Sequence, residues 1–137
     1  MKIVQKLAVL IAILFASAGA CARGTVPVVN FEDNQITTGS GKTLAAEEVR
    51  KLITAAAGAK RWTVTAAGRE KMQATLNVRS HAVVVDVAYT ATSYSIRYVD
   101  STNLNYEFDA AGGKIHPSYN NWVKQLKQAI DSSFQNN

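Results

Sequence analysis

Cys21 has the most distinctive chemistry in this chain. It is the only cysteine among 137 residues and stands directly after an apolar leader that ends in Ala18, Gly19 and Ala20. With no second thiol it cannot close an intramolecular disulfide. A lone thiol in an oxidising compartment is a liability unless it is modified or paired between molecules. The only two histidines are His81 and His116. A zinc or copper site wants three or four ligands at recognisable spacing, and none is apparent. Each histidine therefore reads as a turn or capping hydrogen-bonder. The alternative, a small-ligand or metal carrier built on His81 and His116, needs the two within coordination distance and a third ligand beside them. No serine sits in a nucleophile-elbow context, and no carboxylates form a distinctive acid/base pair. No catalytic residue, metal or cofactor is expected, and the chain does not read as an enzyme.

Two stretches imitate a nucleotide site. Gly39-Ser40-Gly41-Lys42-Thr43 ends like a phosphate-binding loop and runs into a helical pattern,. The motif requires glycine five positions before Gly41, however, and Ile36 is there. Val83-Val84-Val85-Asp86 looks like an apolar strand ending on a magnesium-binding Asp, but Asp86 falls inside an alternating strand rather than at its C-terminal end,. The expectation is a Gly-Ser lead-in to a capped helix, with no nucleotide as partner.

The leader has the three parts of a secretory signal. Lys2 and Lys6 are its positive region, Leu7 to Phe15 its apolar run, and Ser17 to Ala20 its small residues,. A spanning helix needs about 20 apolar residues, and the uncharged stretch Leu7 to Ala22 closes in small residues before Arg23. Ala18-Gly19-Ala20-Cys21 resembles the lipobox of bacterial lipoproteins, which implies a diacylglyceryl group on the Cys21 sulfur and cleavage after Ala20. Ala18 departs from that pattern, which usually has Leu. The same residues satisfy the rule for ordinary secretion, so a soluble periplasmic protein without lipid is the competing reading.

Removal of residues 1–20 leaves 117, enough for one domain and too few for two,. Without Lys2 and Lys6, 13 basic residues face 10 acidic ones, a net charge of +3. That suits an anionic envelope and weakly favours acidic partners. The bases are scattered rather than grouped in a stripe, which argues against nucleic acid. The expected organisation is a signal peptide over 1–20, a lipid-anchored tether and lead-in segment over 21–42, and one domain over 43–137.

The lead-in is rich in turn formers, and part of it could pair as an edge strand. Ala45, Val49, Leu52, Ile53 and Ala56 then recur at helical spacing, with Thr43 as N-cap and Gly58 as C-cap,. Beyond Gly58 the period falls to two. Trp62 and Val64, then Met72 to Val78, Val83 to Tyr89 and Tyr94 to Tyr98 alternate as strands, with a turn at Ala67-Gly68,. A loop rich in Asn and Gly follows from Ser101 to Gly113. Pro117 opens a last helix whose apolar stripe is Tyr119, Trp122, Val123, Leu126, Ala129, Ile130 and Phe134,. The expected class is α+β, in helix-strand-strand-strand-strand-helix order. It is a two-layer sandwich in which a four-stranded antiparallel meander carries both helices on one face and leaves the other wet.

Tyr94-Ser95-Ile96-Arg97-Tyr98, Ser101-x-Asn103-Leu104-x-Tyr106 and Ile115-His116-Pro117-x-Tyr119-Asn120-x-Trp122 carry more pattern than packing requires. With Arg61-Trp62 and Arg79-x-His81, they resemble a group of small bacterial envelope proteins, mostly predicted lipoproteins, whose function is not established. The resemblance spans Leu44 to Phe134 and implies an address rather than an activity. Physically, Asn103, Asn105, His116 and Asn120 can satisfy loop backbone, and Tyr98, Tyr106, Tyr119 and Trp122 offer flat apolar faces with polar tips. They either lock the long loop to the last helix or line a cleft for a peptide, glycan or lipid fragment, with Tyr98, Asn103, Tyr106, His116, Tyr119, Asn120 and Trp122 as its residues. The expected protein is a non-enzymatic binding or accessory module, held by lipid on Cys21 at the periplasmic face of the outer membrane. Its partner would be another envelope component, met through the open sheet face or the loop between Asp100 and His116.

Overall fold

In the computed structural model, residues 24–137 are described. The leader, Cys21 and the signal-peptide boundary lie outside them. The chain runs β1 (Val26–Pro27), β2 (Phe31–Gln35), α1 (Ala46–Ala59), β3 (Thr63–Gly68), β4 (Lys71–Val78), β5 (His81–Tyr89), β6 (Ser93–Thr102), β7 (Glu107–Asp109), β8 (Gly112–Ile115) and α2 (Pro117–Gln135). The α+β class is as expected, but the single four-stranded sheet is not. The β3–β6 meander gains β2 on its outer edge, in the order β2-β6-β5-β4-β3, and a second sheet forms in the order β1-β8-β7.

The meander's strands alternate because one face is dry. Val83, Val85 and Val87 of β5 are at most 1% exposed and join Met72, Ala74, Tyr94 and Ile96 in one core with both helices. The opposite face carries Thr63, Thr65, Gln73, Thr75 and Arg97, exposed or half-buried. α1 contributes Val49, Ile53, Ala56 and Ala57, and α2 contributes Tyr119, Val123, Leu126, Ile130 and Phe134. Truncating a fully buried Leu126 to Ala would cost about 2–5 kcal/mol.

Both predicted caps of α1 are displaced. Its N-cap is Ala45 rather than Thr43, and the Ala45 N–H donates to Glu48 Oε1 at 3.2 Å. This is the returning arm of a capping box; alanine has no side-chain acceptor for the other arm. At the far end the helix runs through Gly58. The Arg61 N–H donates to the Gly58 carbonyl and the Trp62 N–H to the Ala57 carbonyl, both at 3.0 Å. That pair of bonds is a Schellman motif with Arg61 in the left-handed position, at φ 71°, where glycine is usual,. The first hairpin turn likewise falls later than expected, at Arg69-Glu70.

The stretch read as a loop from Ser101 to Gly113 contains the β7–β8 hairpin, whose Phe108 is 75% exposed. Asn103 and Asn105 take φ 62° and 55°, a conformation asparagine tolerates,. A Cβ on Gly113 would lie 3.1 Å from the Tyr106 ring, a tight contact that the ring would have to relieve by a few tenths of an ångström. The phosphate-loop look-alike has a packing role. A Cβ on Gly39 would collide with the Gln135 carbonyl oxygen, and the Ser40 N–H donates to the Asn137 carbonyl at 2.9 Å. These residues close the loop against the end of α2.

Candidate functional site

The seven residues expected to form a cleft divide into separate groups. Tyr98, on β6, stacks on Tyr106 with ring centroids 4.3 Å apart and meets Tyr119 edge-on at 5.5 Å. Tyr119 is fully buried, and its hydroxyl has no hydrogen-bond partner. Burial raises its pKa above the ordinary tyrosine value, and the neighbouring Tyr98 and Tyr106 add to the shift. The Tyr98 hydroxyl lies 2.8 Å from Ser101 Oγ. Tyr106 is 37% exposed and closes the cluster from outside.

The polar members fasten chain segments. Asn120 Oδ1 accepts from the Val29 N–H at 3.1 Å, and its Nδ2 donates to the Pro27 carbonyl at 2.9 Å, so α2 holds the link between β1 and β2. His116 is the N-cap of α2, its Nδ1 accepting from the Ser118 N–H at 3.1 Å,. Asn103 Nδ2 donates to Ser80 Oγ at 3.1 Å, and its carbonyl lies 2.8 Å from His81 Nδ1. One ring nitrogen of each histidine is thus engaged locally. Among the described residues no three His, Cys, Asp or Glu side chains are grouped to hold a metal.

Trp122 differs from the other six. It lines an open cleft of about 400 Å³ together with Trp62, Leu76, Val78, Asn77, Gln125 and three cations, Lys60, Arg61 and Arg79. Two separate turns and one helix face bring these together: the Schellman end of α1, the β4–β5 turn, and the first half of α2. Trp62 is 4% exposed and anchors the wall, while Trp122 is half-buried and within 6.1 Å of the His81 ring. Arg79 shares the left-handed conformation of Arg61, at φ 55°. No carboxylate lines the cleft, and among the described residues Lys60, Arg61 and Arg79 form no ion pair. The sequence offered Arg61-Trp62 and Arg79-x-His81 only as part of a pattern. Both tryptophans of the chain converging on one cleft has no periodic signature.

A second polar grouping lies at the β2 edge of the sheet. The buried Tyr94 hydroxyl donates to Asp131 Oδ1, whose other oxygen accepts from Lys127 Nζ at 2.7 Å. Burial, then the Asp131 carboxylate, raises the Tyr94 pKa. The tyrosine therefore stays neutral and serves as a structural donor. Comparison of the chain with protein-family models, curated proteins and solved structures finds no match.

Proposed function

We propose that this chain is a non-enzymatic binding module of the bacterial envelope, tethered by lipid on Cys21 to the periplasmic face of the outer membrane. The observation that carries the reading is the placement of the sole cysteine at the end of a secretory leader. Strand pairing begins at Val26, five positions later. At about 3.3–3.6 Å per extended residue, the lipid attachment point lies within about 17 Å of the first paired strand, so the domain is held against the bilayer surface. Support also comes from Ala22, which lacks the Asp that marks inner-membrane retention in some enteric bacteria. No helix among the described residues is long and apolar enough to cross a membrane.

The test is mass spectrometry of the mature N-terminus, paired with detergent partitioning of wild type and Cys21→Ser. A diacylglyceryl mass on an N-terminal Cys21, and loss of detergent partitioning in the variant, are expected. A mature chain with no added mass on Cys21, cleaved either before it or after the alternative small-residue site Ala16-Ser17-Ala18, refutes the tether,.

A further inference from the structure

We infer that the cleft between the end of α1, the β4–β5 turn and α2 is a binding site for an acidic saccharide, a glycan strand whose rings carry carboxylates. This supplies a ligand class for the binding module proposed above and rests on that reading. Three features select the ligand. First, Lys60, Arg61 and Arg79 converge on one lining with no carboxylate to neutralise them, so an anion is the complementary charge,. Second, the half-buried Trp122 presents aromatic surface to the same space, suited to the C–H face of a sugar ring, while the buried Trp62 forms part of the wall,. Third, the cleft continues along α2. Lys60 and Gln125 also line the adjoining hollow of about 290 Å³ with Gln128 and Ser132. Gln125, Gln128 and Ser132 fall three and four positions apart, on one helical face. A row of neutral amides and a hydroxyl beyond a cationic head matches the alternating donors and acceptors of a saccharide chain better than a single small anion.

Both tryptophans of the chain line this cleft, so tryptophan fluorescence, excited selectively over the five tyrosines, reports on it. The full-length protein in non-ionic detergent is titrated with the tetrasaccharide of alternating N-acetylglucosamine and N-acetylmuramic acid. Chitotetraose, which lacks the lactyl carboxylates, is titrated in parallel. The acidic tetrasaccharide should shift the emission and bind at least about 10-fold more tightly than chitotetraose. Arg61→Gln with Arg79→Gln should weaken it at least about 10-fold, Trp122→Phe should weaken both sugars, and Arg97→Gln on the opposite sheet face should change nothing. Equal binding of the two sugars, no response to either at 10 mM, or an unchanged affinity in the double arginine variant overturns the inference. So does inorganic phosphate competing as well as the tetrasaccharide, which would make the site a simple anion site. The titration does not depend on lipid: a negative result leaves the Cys21 reading standing, and an unmodified Cys21 leaves the groove standing.

Discussion

Replacing Arg61 by glycine should stabilise the fold while weakening the site, and the two effects can be separated. Arg61 holds φ 71° after α1. Leaving an L-residue there costs about 1–2 kcal/mol. Glycine removes that cost but brings about 0.5 kcal/mol of extra unfolded-state freedom. It also removes a cation beside the helix C-terminus, worth about 0.5 kcal/mol. The net expectation for Arg61→Gly is a gain of about 0.5 kcal/mol. Arg61→Ala retains the strain and loses the cation, so it should fall about 0.5 kcal/mol below wild type. The separation between the two variants, about 1 kcal/mol, isolates the backbone term, because both lack the side chain. Urea unfolding at neutral pH with a common m-value reads it directly, and thermal melts should differ by about 4 °C. Both variants should lose the same affinity for the acidic tetrasaccharide. An Arg61→Gly protein no more stable than Arg61→Ala would refute the strain argument.

Other consequences concern the buried tyrosines and the fastening of β1. Tyr119→Phe removes a buried hydroxyl with no partner and should be neutral or stabilising by up to about 1 kcal/mol, whereas Tyr94→Phe leaves Asp131 short of a donor and should cost about 1–2 kcal/mol by chemical denaturation,. If the two substitutions cost the same, the buried hydroxyls do not differ as described. The raised pKa values of Tyr94 and Tyr119 mean that the folded state holds more protons than the unfolded one above about pH 10,. Stability should therefore be unaffected below that pH and fall above it by about 1.4 kcal/mol per pH unit for each tyrosine, until the folded-state groups titrate. Denaturation midpoints from pH 8 to 11, with phenolate absorbance, check this; all five tyrosines ionising near pH 10 in the folded protein would contradict it. Asn120→Ala frees the Val29 N–H and the Pro27 carbonyl and should cost about 1–2 kcal/mol, with faster hydrogen exchange at Val29; unchanged exchange there would show that α2 does not hold this link.

The parts of the fold that could be read in advance are those whose burial is periodic. β4, β5 and β6 alternate because one face is dry, and α2 shows its stripe because five of its residues, from Tyr119 to Phe134, reach the core. β7 and β8 were hidden because a three- and a four-residue strand have no room for a period, and Gly112 and Gly113 read as loop. The caps of α1 were misplaced for a chemical reason. Thr43 and Gly58 are good cap types, but the N-terminus is closed by Glu48 reaching back to the Ala45 N–H, and the C-terminus by an arginine in glycine's usual conformation. The aromatic and Asn set was recognisable as a group, and most of it fastens the chain. The cationic cleft was not, since residues 60–62, 76–79 and 122–125 meet only after the sheet and α2 are assembled.

The tether and the groove make compatible demands on affinity. The cleft is open and shallow, and two of its cations sit on turns, so the free protein in dilute solution would hold a saccharide weakly, in the range where a handful of charge-assisted hydrogen bonds must offset lost ligand freedom. The proposed lipid tether, with four residues between Cys21 and Val26, would change that balance. Anchoring both the domain and a neighbouring glycan within tens of ångströms raises the effective concentration to the millimolar range, so a millimolar site is substantially occupied at the membrane while remaining free to exchange along the strand. Under the proposed tether, weak intrinsic affinity would follow from where the domain is held.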